Sequence, residues 1–252
     1  MSTVSLAPVA SQDSSSNNFS SSLGGLAELS GLSVGGPGYV DRTTLGLEQL
    51  RSRKFISEFM QKYDVYKDLI AVKDWDKSSN KFSYDRKIYD HKNKKWNKKP
   101  SFEESYRAFN SIFYIKRDDE TGVITLSMEH YSPIIAKEWL SLVIDEINSI
   151  SRIDEIDMAT NSLSYLTNEI EDTKLTEIRS GLTNLALSQH EKIMLAKVTP
   201  EYLFKIIDPP YIPETKSKPK RSVLTILGFF LGLFLGILFF LFDFLLKRNK
   251  KV

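Results

Sequence analysis

The spacing of apolar residues divides the chain into segments of different period. Leu45, Leu47, Leu50, Phe55, Ile56, Phe59 and Met60 recur mostly at helical spacing. Asp41 stands ahead of them where an N-cap is favoured. The pattern predicts a helix starting near Thr43, and a second helical stretch from Asp64 to Ile70. Ser101-Phe102-Glu103-Glu104 has the form of a capping box, so a short helix is predicted to about Asn110. Ile112 to Lys116 and Val123 to Met128 alternate apolar and polar residues. Asp118-Asp119-Glu120-Thr121-Gly122 separates them, which predicts a β-hairpin. Pro133 suits the first turn of a helix. From there to Pro200 the chain has no further proline and one glycine, Gly181. Leu163, Leu166 and Ile170, then Ile178, Leu182 and Leu185, recur at threes and fours. A single helix of about sixty residues would reach about 90 Å at 1.5 Å per residue. Such a helix cannot be buried in a small domain; it stands out as a rod or packs in an assembly. A break near Gly181 into two helices is the alternative. Tyr202 to Ile207 is strand-like and is expected to return to a sheet beside the hairpin.

The C-terminal pattern is different. Val223 to Leu246 is an apolar run broken only by Asp243. About twenty apolar residues cross a bilayer as a helix, so a membrane span is expected over 222–246. Gly228, Gly232 and Gly236 share one helix face there, a spacing that allows close packing between membrane helices. Asp243 is expected at the interface beside Lys247 and Arg248. A proline cluster precedes the run: Asp208, Pro209, Pro210 and Pro213, then Pro219, Lys220 and Arg221. A basic tail, 247–252, follows it. Four Lys or Arg residues lie on each side of the run, so the positive-inside rule does not set its orientation.

Composition narrows the classes. The net charge of +2 over 252 residues lacks the basic excess of a nucleic-acid binder. With no cysteine, disulfides and thiolate metal sites are excluded. His91, His130 and His190 have no metal-ligand spacing. No phosphate-binding loop, HExxH or GxSxG is present. Two carboxylate clusters remain. Asp118, Asp119 and Glu120 fit a turn, and Asp154, Glu155 and Asp157 fit a solvated helix face. The expectation is a protein without catalytic, cofactor or metal residues. Residues 1–38 are rich in Ser, Gly and Asn and are expected to be flexible. Residues 73–100 are polar and irregular. The lysines of 87–99, with Tyr89 and Trp96 among them, read as a solvated loop; an acidic glycan or anionic headgroups are the other partners they would suit. Met1 to Ala10 has neither the basic nor the apolar region of a signal peptide.

The order of these features resembles the chain-length determinant (Wzz-type) proteins, or polysaccharide co-polymerases. The resemblance rests on a Leu/Gly-rich segment, Leu23 to Leu32, and on Leu50-Arg51-Ser52-Arg53-Lys54-Phe55, with Ser52, Arg53 and Phe55 as the motif residues. Trp75-Asp76, the Thr121-Gly122 turn and His130-Tyr131-Ser132-Pro133-Ile134-Ile135-Ala136 follow in order. Asp208-Pro209, Pro213, Pro219-Lys220-Arg221 and the glycine-bearing apolar run complete it. The match extends from about Leu23 to the end, and no single motif is diagnostic.

The resemblance implies an α+β fold. A membrane-proximal α/β base would begin over 39–132, carry a long helical segment over 133–200 and receive a returning strand and proline segment over 201–221. It implies a non-catalytic, homo-oligomeric inner-membrane protein with a periplasmic domain. Such a protein sets the chain length of surface polysaccharide (O-antigen of lipopolysaccharide, capsule or exopolysaccharide) with a membrane polymerase and its lipid-linked glycan. It also implies a first span ahead of Met1, so a truncated or late-starting chain is expected. The alternatives are a tail-anchored coiled-coil scaffold with a cytoplasmic domain, or an adaptor for a separate tyrosine kinase in polysaccharide export.

Overall fold

A computed structural model of the chain describes residues 1–9, 41–213, 225, 228–230 and 232–236. Met1–Ile212 forms one unit and Pro213–Val252 a second. The first unit is α+β. Its sheet has four antiparallel strands in the order β6-β7-β1-β8. These are β1 (Ser2–Pro8), β6 (Phe113–Arg117), β7 (Ile124–Met128) and β8 (Phe204–Asp208).

The front of the chain corrects one expectation. Residues 1–38 were expected to be flexible, yet Ser2–Pro8 is an inner strand, paired with β7 on one side and β8 on the other. Alternation explains it: Ser2, Val4 and Leu6 are buried, while Thr3, Ser5 and Ala7 are only half-buried. Val4 lies opposite Leu126, and Leu6 opposite Ile124. Pro8, which has no N–H to give a ladder, comes at the strand's end. The Leu23 to Leu32 segment lies outside the described residues.

The predicted helix near Thr43 is two helices, α1 (Arg42–Arg51) and α2 (Arg53–Lys62), with a short α3 (Tyr66–Ile70) after them. The capping-box helix α4 (Phe102–Ile112) forms with both reciprocal bonds present. Phe55, Phe59, Phe109 and Phe113 pack ring against ring in sequence at 5.6–6.2 Å and join α2, α4 and β6. The predicted hairpin is present as β6 and β7. Gly122 takes the left-handed backbone (φ 70°) that its turn needs.

The long helical segment is a helical hairpin, which corrects the single 90 Å rod. α5 (Pro133–Asp172) has 40 residues, and α6 (Thr176–Val198) has 23. The break falls at Thr173–Leu175, while Gly181 sits inside α6. Three connecting residues suit two antiparallel helices, and α6 packs along α5. Trp139, Leu140, Val143, Ile144 and Ile147 bury one face of the first half of α5, which packs on β1 and β7. Each such side chain contributes about 2 kcal/mol of burial. Beyond Asn148 only Glu155 and Ala159 of α5 are buried. The distal half, about 36 Å at 1.5 Å per residue, therefore has α6 as its main support. It leaves Ile153, Met158, Tyr165, Ile178 and Leu187 exposed.

Residues 73–100, expected as an irregular loop, hold two small hairpins. β2 (Val72–Asp76) pairs with β3 (Lys81–Tyr84), and β4 (Tyr89–Asp90) with β5 (Lys95–Trp96). In the second unit, Thr225, Gly228–Phe230 and Gly232–Gly236 are helical and exposed. Among the described residues no helix is long and apolar enough to cross a membrane. Most of the expected span, 222–246, lies outside them.

Candidate functional site

The motif at Ser52 does local structural work. Ser52 is extended (φ −67°, ψ 146°), ends α1 and caps α2 by accepting the Phe55 N–H at 3.1 Å. Arg53 lies 5.4 Å over the Tyr106 ring and 3.4 Å from Glu103. Phe55 is buried in the core. Ser52 and Phe55 thus set the angle between two helices, and Arg53 ties α2 to α4.

His130 to Pro133 starts α5. Ser132 caps the helix and Pro133 occupies its first turn. The Ser132 N–H donates to His130 Nδ1 at 3.1 Å, so the ring proton is on Nε2, 2.9 Å from the Asp68 carbonyl. Burial holds the imidazole below its ordinary pKa. Its ring packs on Trp139 and Phe82, 5.0 and 6.0 Å away. Trp75 donates its indole N–H to Asn80 at 2.9 Å. Asp76 accepts from both Ser78 and Ser79, which lowers its pKa to about 2. The Trp-Asp pair therefore shapes a turn.

Two arrangements escaped sequence reasoning. Asn148, buried on α5, holds the returning chain. Its Oδ1 accepts the Leu203 and Phe204 N–H groups, each at 2.8 Å, and its Nδ2 donates to the Phe204 carbonyl at 3.0 Å. A lone Asn within a helical pattern gives no signal of this in one sequence. Nearby, Arg42 of α1 pairs with buried Glu155 of α5 and bonds the Tyr202 hydroxyl at 3.1 Å. Gly46 is buried beside them, and a methyl group there would overlap Leu203. The foot of the helical hairpin, α1 and the start of β8 are thus locked together.

β8 ends at Asp208, where Pro209 and Pro210 stop the ladder. Pro210 is buried, and Ser2 Oγ donates to the Tyr211 carbonyl at 2.8 Å. Asp208, Pro209 and Pro210 therefore run beside the start of β1 or just beyond it, and Pro213 begins the second unit. Pro219, Lys220 and Arg221 lie outside the described residues. Gly228, Gly232 and Gly236 are helical, and a Cβ at any of them would meet nothing within 4 Å.

Of the two carboxylate clusters, Asp118 accepts the Glu120 and Thr121 N–H groups of its own turn, and Glu155 pairs with Arg42. Among the described residues no group of three His, Cys, Asp or Glu side chains is placed to hold a metal ion. An open cleft of about 220 Å³ lies between α5 and residues 200–206, with Asp145, Asn148, Arg152 and Glu201 on its walls.

No protein-family model matches the chain. No curated protein matches it either. Among solved structures, the chain is similar to a fragment of WzzB, a polysaccharide co-polymerase from Salmonella Typhimurium. The identity is 14% and the TM-score 0.35, over 86% of this chain and 98% of that one.

Proposed function

We propose that this chain is a non-catalytic, membrane-held regulator of surface polysaccharide chain length. It acts as a homo-oligomer with a membrane polymerase, and its main domain faces the periplasm of a bacterial inner membrane. The observation that carries the reading is the order of the sequence motifs together with where they fall. Ser52 sets the α1–α2 angle, His130 to Pro133 launches the helical arm, and Asp208-Pro209-Pro210 ends the strand that returns from it. An α+β base with a projecting arm suits a protein that works by assembly, and the arm's exposed apolar residues suit neighbouring copies.

In this reading the apolar run 222–246 anchors the chain, and Gly228, Gly232 and Gly236 pack copies together. The prolines up to Pro219-Lys220-Arg221 fix the base to the anchor. Oligomer geometry then determines when a growing chain is released. The triple substitution Gly228→Leu, Gly232→Leu, Gly236→Leu is expected to broaden the ladder of glycan lengths. Gel separation of surface polysaccharide reads this, with an immunoblot for protein level. A wild-type ladder at wild-type protein level would remove the glycine face from the account.

A further inference from the structure

We infer that the paired hairpins of residues 72–99 are a docking surface for an acidic glycan; this rests on the chain-length reading and names the class of its polysaccharide. The two hairpins are a structural repeat. Trp75-Asp76 faces Lys81-Phe82 across one turn, and Tyr89-Asp90 faces Lys95-Trp96 across the next. The repeat distance is fourteen residues. In each loop the Asp side chain accepts the N–H two residues on, at 3.0 Å. In each loop the fourth residue is left-handed, Asn80 at φ 51° and Lys94 at φ 50°. Asparagine favours that conformation and lysine does not. The second loop thus accepts a conformational cost and gains a cation at its tip.

The rest of the second hairpin follows the same direction. Residues 73–99 contain ten Lys or Arg against four Asp, whereas the whole chain has a net charge of only +2. Lys92, Lys94, Lys95, Lys98 and Lys99 are exposed. Among the described residues none of the five lies within 4 Å of a carboxylate oxygen, although Lys98 is near enough to Glu104 to help the Ser101 N–H hold that carboxyl below its ordinary pKa. Trp96, Tyr89, Tyr84, Phe82, His130 and Trp139 form a chain of ring contacts at 5.0–6.2 Å that fixes this lobe to the start of α5. His91, exposed, stacks on Tyr84 at 4.8 Å and 13°. The exposed His91 ring and half-buried Trp96, in the same short hairpin as these lysines, suit a saccharide, which offers C–H faces and carboxylates together. A phosphate headgroup would use the ammonium groups alone.

The test uses the full chain in phosphatidylcholine nanodiscs, titrated calorimetrically with pentagalacturonic acid at low salt. Saturable binding is expected, weakening as salt rises. The variant K92Q/K94Q/K95Q/K98Q/K99Q, with thermal unfolding unchanged, is expected to bind at least about tenfold more weakly. Maltopentaose, of equal length and uncharged, is expected not to bind. Equal affinity in the variant, or equal binding of maltopentaose, would overturn the inference. So would displacement of the glycan by an equal concentration of glycerol 1-phosphate in the phosphatidylcholine discs, which would give the lobe to anionic headgroups. If pentagalacturonic acid fails to bind while deletion of the gene still disperses the glycan ladder, this inference falls and the regulator reading stands. Binding with an undisturbed ladder would keep the glycan surface and remove the regulator reading.

Discussion

Val4→Asp is expected to unfold the first unit or to lower its thermal midpoint by more than about 10 °C. Val4 is fully buried and faces Leu126 in the centre of the sheet. The substitution removes about 2 kcal/mol of apolar burial. It also buries a carboxylate with no cation opposite, which costs about 3–5 kcal/mol more. A unit of this size loses about 2–4 °C per kcal/mol, and total stabilities are commonly about 5–15 kcal/mol. Thr3→Lys supplies the control. Thr3 lies one residue away on the other face and is half-buried, so its change should cost about 1 kcal/mol or less. Near-ultraviolet circular dichroism of the full chain in detergent follows both. A Val4→Asp midpoint within about 3 °C of wild type, on the order of the shift for 1 kcal/mol, would show that β1 is not an inner strand.

Asn148→Leu is expected to cost about 3–5 kcal/mol. The leucine keeps the branched four-atom skeleton but leaves the Leu203 and Phe204 N–H groups and the Phe204 carbonyl without their partner. Each buried unsatisfied group costs about 1–3 kcal/mol. The loss should be local as well as global, because this side chain is the tie between α5 and the chain entering β8. Amide hydrogen exchange should quicken at residues 203–208 before it does in β6 or β7. Uniform acceleration across the sheet, with the same midpoint shift, would place the loss in general packing rather than in this clamp. Unchanged stability would mean that β1–β8 pairing alone returns the chain.

Much of the base was legible in the sequence because its signals are local. The capping box at Ser101 formed, the Asp118 turn joined two alternating strands, and Pro133 opened a helix. The misses came where distant packing decides. β1 carries only Val4 and Leu6 as large inward residues, and the Ser-rich stretch behind it dominates the composition. Its strand character depends on β7 and β8, more than a hundred residues away. The helical break has no Gly or Pro. Thr173 ends α5 and Leu175 precedes α6 with extended backbones, and the Thr173 hydroxyl donates to the Glu169 carbonyl. Beyond the break α6 lies back on α5, burying Ile193 and Ala196.

The candidate site was legible in a different way. Ser52, Phe55 and Asp208 to Pro210 stand out by resemblance, and each has a definite structural role. Asn148, Arg42 and Glu155 were invisible because their partners are set by tertiary contact. Tyr89 and Trp96, which the sequence places in a solvated loop, meet across a ladder at 5.0 Å. Alternation there spans only two residues per strand, too short for a period to register.

Control of glycan length is read most directly from the length distribution of surface polysaccharide in cells lacking this gene, and in the same cells with the wild-type chain restored. Wild-type cells are expected to show a preferred length, cells without the chain a featureless spread, and restored cells the preferred length again. An identical distribution in all three, at equal total polysaccharide, would contradict that control.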